Sequence, residues 1–350
     1  MRSTLRTLMV LGVTLVAALV ITGVRTHGQT AAQVASNDFP NPYKIESWGQ
    51  LPAGRKMGQT YGIDIDRDGK SVWVFERCGG ATCDGSAVAP LLKFDSSGRL
   101  VAMFGAGMFV YPHGVFVDAD DNVWVTDGQA KNGKGQQVFK FSPTGRVLMT
   151  LGTAGVAGDG PDTFNQPSDV LVAPNGSIFV ADGHGGNTNA RIVKFDKDGK
   201  FIKTWGKKGS GPGEFDTPHG LLLDPQGRLL VADRGNGRIQ VFDQEGKYLT
   251  EWKQFGRPSG IFLDRAGMLY AADSQSGVPN TNPTVKRGIR IGSEKDGKIR
   301  YFVPDPEPTD LAGGGGREGV AVDRDGVIYV AKTGAGGLYR YSKATSPSTR

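Results

Sequence analysis

The residues that most often carry chemistry are scarce in this chain. It has two cysteines and four histidines in 350 residues, and one of the histidines, His27, lies near the N-terminus. Two cysteines exclude a fold built mainly on disulfides and fall short of the four ligands a structural zinc needs. No basic stripe with interleaved aromatics is present, which argues against nucleic acid as a partner. The formal net charge of +6 overstates the basic character, since Arg2, Arg6 and Arg25 sit in a segment, residues 1–36, that holds no Asp or Glu. Long polar low-complexity tracts are absent, so the 53 glycines and 19 prolines signal turns rather than disorder. Beyond the first segment no apolar run is long enough to cross a membrane.

That first segment has early arginines, an apolar run from Leu8 to Val24, and then small and polar residues. This is the layout of a secretory signal, so residues 1–36 are expected to direct export, with a retained membrane anchor as the alternative. A secreted or periplasmic protein favours a local disulfide between Cys78 and Cys83 in "RCGGATCDG".

A phrase repeats along the remainder. "YGIDIDRDGKSVWVFE", "HGVFVDADDNVWVTD", "SDVLVAPNGSIFVAD", "HGLLLDPQGRLLVAD", "SGIFLDRAGMLYAAD" and "EGVAVDRDGVIYVAK" align on Gly62, Gly114, Asp169, Gly220, Gly260 and Gly319, spaced 40 to 59 residues apart. Each copy reads as a strand, an Asp-x-x-Gly turn and a second strand, and most add a third and a fourth. Six such units imply an all-β, six-bladed β-propeller over residues 37–343. The sixth copy lacks its fourth strand, and "YKIESWG" from Tyr43 to Gly49 is expected to supply it and close the ring. The tail, residues 344–350, is expected to be disordered.

Inner strands line a propeller's central channel, so equivalent positions face one another around the axis. The residue before each anchor is Tyr61, His113, Ser168, His219, Ser259 or Glu318. His113, His219 and Glu318 alternate around the ring and form a candidate His2Glu metal set, for which zinc is the expected ion. A second ring at the ends of the second strands holds Arg77, Asp127, Asp182 with His184 close by, Asp233 with Arg234, Asp273 and Lys332. Arg77, Arg234 and His184 are candidate substrate-handling residues, whereas Asp127, Asp233 and Asp273 are expected to brace turns. The basic run "VKRGIRIGSEKDGKIR" reads as a solvated hairpin of the fifth blade.

The spacers "GKKGSGPGEFDTPHG" and "AGDGPDTFNQPSD" resemble those of NHL-repeat propellers. The phrases "PHGVFVDADDNVWVTD", "QPSDVLV", "PHGLLL" and "VADRGNGRIQVF" resemble the peptidyl-α-hydroxyglycine α-amidating lyases. That resemblance implies cleavage of a hydroxyglycine-extended peptide to an amide and glyoxylate. It also implies a zinc held by three histidines, a structural calcium, a catalytic tyrosine and two arginines. His113 and His219 match two of the zinc histidines, and Arg77 and Arg234 match the arginines. The third histidine falls on Glu318, the calcium-binding Asp on Gly319, and the tyrosine on His184, which is then the expected general base. The readings that remain open are a zinc lyase acting on a small hydroxylated amide or peptide, a non-enzymatic propeller binding a protein or glycan on a face, and a propeller lactonase.

Overall fold

A computed structural model describes residues 36–277, 284–307, 316–334 and 336–344. The expected export signal, apart from Ser36, and all but the first residue of the expected disordered tail lie outside the described residues. Those described form six four-stranded antiparallel sheets and no helix. The inner strands, taken as blades one to six, are Thr60–Ile65, Pro112–Val117, Pro167–Val172, Pro218–Leu223, Pro258–Leu263 and Arg317–Val322. Each contacts the next, and the sixth contacts the first. The outermost strand of blade six is Tyr43–Ser47, which pairs antiparallel with Leu338–Lys343.

The repeated Asp-x-x-Gly phrase makes the turns through a local bond pattern. The Oδ1 of Asp224 accepts the backbone N–H of Gln226 and Arg228, and Asp323 does the same for Asp325 and Val327. Gly227 and Gly326 then adopt positive φ, 76° and 81°, a conformation open to glycine without strain. In blade two Asp121 takes that position with φ 65°. The other carboxylate oxygen ties the turn to the blade interior: Trp73 and Trp124 donate their indole N–H to Asp66 and Asp118, both at 2.9 Å.

Apolar side chains fill the wedges between neighbouring blades. Trp73, Phe75 and Leu91 of blade one pack with Val115, Val123 and Phe139 of blade two in one such cluster. The basic run of blade five does form a hairpin, Gly288–Ser293 with Ile299–Pro304, but it is not simply solvated. Arg287 and Arg290 are buried. Their charges meet Asp305 and Asp273, which the sequence places 18 and 17 residues away.

The axis is built in layers. In all six blades the pairing of the inner strand slips within the three or four residues that span the residue before the anchor. Such a bulge re-aims a side chain, and it acts on Tyr61, His113, Ser168, His219, Ser259 and Glu318. One layer further in, five of the six anchors are glycine because the next blade's backbone occupies the place of a side chain. A Cβ on Gly62 would lie 2.4 Å from the His113 carbonyl oxygen, and one on Gly319 1.9 Å from that of Tyr61. The exception is Asp169. Its carboxylate accepts the Leu221 N–H at 2.9 Å and lies 3.5 Å from the Tyr61 hydroxyl. Burial pushes the Asp169 carboxyl up to about 8.

Two outcomes follow from these layers. Gly319→Ala is expected to destabilise the chain by about 1–3 kcal/mol in urea unfolding, since the clash is with backbone that cannot rotate away. A native-like stability would show that the blades have slack at the axis. For Asp169 the folded chain holds the proton more tightly than the unfolded one, whose carboxyl titrates near 3.8. That contribution is full below about pH 4 and is lost as pH climbs to about 8. Stability of the native chain should therefore decline over this range more steeply than that of Asp169→Asn, and parallel curves would refute the assignment.

Candidate metal centre and substrate site

The bulged layer brings the two Pro-His-Gly histidines to the axis and fixes how they point. His113 Nδ1–H donates to the Ser168 carbonyl at 2.5 Å, and His219 Nδ1–H to the Ser259 carbonyl at 3.3 Å. Each carbonyl belongs to the equivalent position of the following blade. A carbonyl only accepts, so each Nδ1 carries the proton and each Nε2 presents a lone pair. Nδ1–H to a backbone carbonyl is the usual support for a metal-binding imidazole.

The third histidine arrives from elsewhere. His184 follows the second strand of blade three, Ile178–Asp182, in the loop "GHGGNTNA". Asp182 holds the base of this loop through Asn189 at 2.7 Å and Arg191 at 2.8 Å. Thr188 accepts the His184 backbone N–H at 3.1 Å. The ligand nitrogens of His113, His184 and His219 all lie within 4.8 Å of one another. His184 Nε2 stands 3.2 Å from His219 Nε2, so a proton or a cation must sit between them. His113 Nε2 is buried with no hydrogen-bond partner. Burial, above all, holds all three imidazoles well below their usual pKa; the neighbouring arginines add to it, and Glu318 opposes it at His113 and His184. They are therefore neutral at physiological pH, the form that binds metal. Tyr61 closes the floor, its ring stacked on His113 at 4.4 Å and edge-on to His219 at 4.6 Å.

Glu318, expected as the third ligand, reaches the same place with a different commitment. One carboxylate oxygen accepts a hydrogen bond from Arg234 Nη1 and lies 3.3 Å from His219 Nε2. The tight group of ligand atoms contains His184 and not Glu318. His184, expected as a general base, is thus grouped with the other two histidines, and the carboxylate stands beside them. Strand periodicity could not reveal this, because the glycine-rich loop that delivers His184 has no strand period to fix where the side chain points.

The two arginines occupy equivalent places in blades one and four, opposite each other across the channel. Arg77 Nε donates to the Pro112 carbonyl at 3.2 Å and Nη1 to Gln59 Oε1 at 2.9 Å. The Tyr111 ring lies 3.6 Å from its guanidinium carbon. Sequence reasoning passed over Tyr111, although it directly precedes Pro-His-Gly. Arg77 is only 4% exposed, yet every partner it has is neutral. The other buried arginines among the described residues, Arg191, Arg234, Arg238, Arg287, Arg290 and Arg317, each have a carboxylate within 4 Å. The Cys78–Cys83 disulfide follows Arg77 directly, with Cα atoms 5.1 Å apart. Cys83 N–H and the Thr82 hydroxyl both donate to the Val110 carbonyl, which ties the disulfide loop to the strand entry that carries Tyr111.

The remaining members of the second ring are structural. Asp127 accepts the Val110 and Tyr111 backbone N–H groups, and Asp233 and Asp273 accept backbone N–H groups while pairing with Arg238 and Arg290. Lys332 pairs with Glu307. The calcium implied by the family resemblance does not fit its aligned position, because Gly319 offers no carboxylate and has no room for a Cβ.

Comparison with known proteins agrees with this architecture. A family model described as a 6-bladed beta-propeller matches residues 163–254. Peptidyl-glycine alpha-amidating monooxygenase A of Xenopus laevis is 32% identical over 82% of this chain and 32% of its own length. Peptidyl-alpha-hydroxyglycine alpha-amidating lyase 1 of Drosophila melanogaster is 39% identical over 41% of this chain and 27% of its own length. Among solved structures, a gluconolactonase of Xanthomonas campestris superposes with a TM-score of 0.58 at 15% identity, covering 86% of this chain and 90% of that one, a likeness of fold alone. The chain spans about a third or less of the length of these two amidating relatives, and it is a six-bladed β-propeller with homologues named amidating lyases.

Proposed function

We propose that the chain is an exported, metal-dependent carbon–nitrogen lyase that splits a small hydroxylated amide or hydroxyglycine-extended peptide into an amide and glyoxylate. The observation that carries this reading is a cluster of three neutral histidines beside a buried arginine that has no anionic partner. His113, His184 and His219 would hold a zinc ion, which matches the three-ligand donor set of catalytic zinc and answers the unpartnered His113 Nε2. Bound there, zinc supplies Lewis-acid polarisation of a substrate oxygen.

The chain's own groups do the rest. Arg77 receives the substrate carboxylate through the fork geometry that suits a carboxylate, and Tyr111 holds the guanidinium plane in place. Arg234, oriented by Glu318, faces the charge that develops on the hydroxyl oxygen. Glu318 takes the hydroxyl proton at a carboxylate oxygen. The C–N bond then breaks with its electron pair going to nitrogen, the hydroxyl oxygen becomes the aldehyde oxygen of glyoxylate, and Glu318 returns the proton to the amide nitrogen. Tyr61 excludes water from below. The Cys78–Cys83 disulfide supports function outside the cytoplasm.

Metal content separates these roles. The purified chain from about residue 37 onward is expected to bind about one zinc per chain, to lose it in His113→Ala and His184→Ala, and to keep it in Glu318→Gln. Glu318→Gln should nevertheless stop glyoxylate release. A chain that stays empty when zinc is supplied would sink the lyase reading and leave a propeller that only binds. In steady-state assays Arg77→Gln should raise KM on the order of 10- to 100-fold, the cost of losing a charge-assisted carboxylate contact. An unchanged KM would place the carboxylate elsewhere.

A further inference from the structure

The residues three positions before each anchor directly precede the six inner strands and so form one ring at the mouth where those strands begin: Gln59, Tyr111, Gln166, Thr217, Arg257 and Gly316. Arg257, in blade five, carries the one charge in this ring. Its Nη1 donates to the Gly235 carbonyl at 3.0 Å and its Nη2 to Gln275 Oε1 at 3.2 Å, so the guanidinium is fixed directly beside Arg234. Burial of Arg234 lowers its pKa, and the positive charge of Arg257 lowers it further.

No carboxylate among the described residues forms an ion pair with Arg257. The carboxylates of its surroundings are committed to other groups. Glu318 is bonded to Arg234. Asp273 pairs with Arg290 at 3.4 Å and gives Arg257 only a backbone contact at 3.1 Å. Two arginines at this mouth therefore lack a counter-ion, Arg77 on blade one and Arg257 on blade five, with blade six between them. Both are pinned by neutral acceptors, so the entropy of ordering them is spent before a ligand arrives. One carboxylate held on Arg77 leaves Arg257 uncompensated.

We propose that Arg257 is a specificity-determining residue that binds a second carboxylate on the substrate, so that the site prefers dicarboxylate substrates. This rests on the placement of the first carboxylate on Arg77 given above. The second carboxylate belongs to an acidic side chain just before the hydroxyglycine, or to the acyl group of a small non-peptide amide. Both sources offer the same chemistry to the guanidinium.

Equilibrium binding of unreactive glycine analogues tests the proposal independently of turnover. Calorimetry on the zinc-supplied chain would compare N-acetyl-Asp-Gly with its neutral isostere N-acetyl-Asn-Gly, and N-succinylglycine with N-butyrylglycine. At least one dicarboxylate should bind about tenfold more tightly than its neutral counterpart at low salt, the size expected of a fixed charge pair at a partly buried site. Tighter binding of the peptide pair alone identifies an acidic peptide, and of the succinyl pair alone a small amide. The gap should collapse in Arg257→Gln and largely survive in Arg257→Lys. Equal binding of acidic and neutral analogues, or a gap that persists in Arg257→Gln, overturns the proposal. Glyoxylate release from the matching α-hydroxyglycine compounds is read separately. Its absence for every compound refutes the lyase reading, while the binding comparison still decides the role of Arg257.

Discussion

The rest of the structure depends on how closely the inner strands approach the axis. Each strand comes so near its neighbour that a main-chain carbonyl takes the place of a side chain, which leaves glycine at five of six anchors. The bulge just before the anchor turns one side chain per blade into the channel. The same carbonyls that crowd an anchor glycine serve the histidine beside it: those of Ser168 and Ser259 press on Gly114 and Gly220, receive Nδ1–H from His113 and His219, and so point the Nε2 lone pairs inward. Packing and chemistry at the centre are consequences of one geometry. A protein of this kind can change its central residues by substitution at six positions without altering the blades.

Much of this was legible because the turn chemistry is local. An Asp that accepts two N–H groups within four residues, followed by a glycine at positive φ, leaves the same trace in the sequence each time. That periodicity was enough to count blades, place His113, His219 and Glu318 in one layer, and put Arg77 and Arg234 in equivalent positions. The Cys78–Cys83 pair was legible for the same reason, since its partners are five residues apart. What stayed hidden were contacts between distant segments. The Glu318–Arg234 pair joins residues 84 apart, and the stacking of Tyr111 on Arg77 depends on the loop after Cys78 turning back to Val110. The buried arginines of blade five looked like solvated charge because Asp273 and Asp305 meet them only across strands.

His184 shows where strand periodicity stops informing. It sits between Gly183 and Gly185, with φ of 133° and 100°, so the chain direction there follows from glycine freedom and not from a ladder. Only the bonds of Asp182 to Asn189 and Arg191, and of Thr188 to the His184 N–H, decide that the imidazole turns toward the axis.

These placements make the departures from the resembled lyases a coherent exchange. The aligned third histidine is Glu318 and the aligned tyrosine is His184, and the structure brings His184 nitrogen to the cluster that Glu318 was expected to complete. A site with three imidazoles is retained, but its third member comes from a loop of blade three in place of the inner strand of blade six. The carboxylate left behind is a buried charge and needs a cation, which Arg234 provides. That pairing takes one of the two arginines out of service as a free anion receptor. Arg77, stacked on Tyr111 and bonded only to neutral oxygens, is left free to receive an anion. The two departures, glutamate at 318 and histidine at 184, thus bear both on which side chains are free to hold a metal and on which arginine is free to hold an anion.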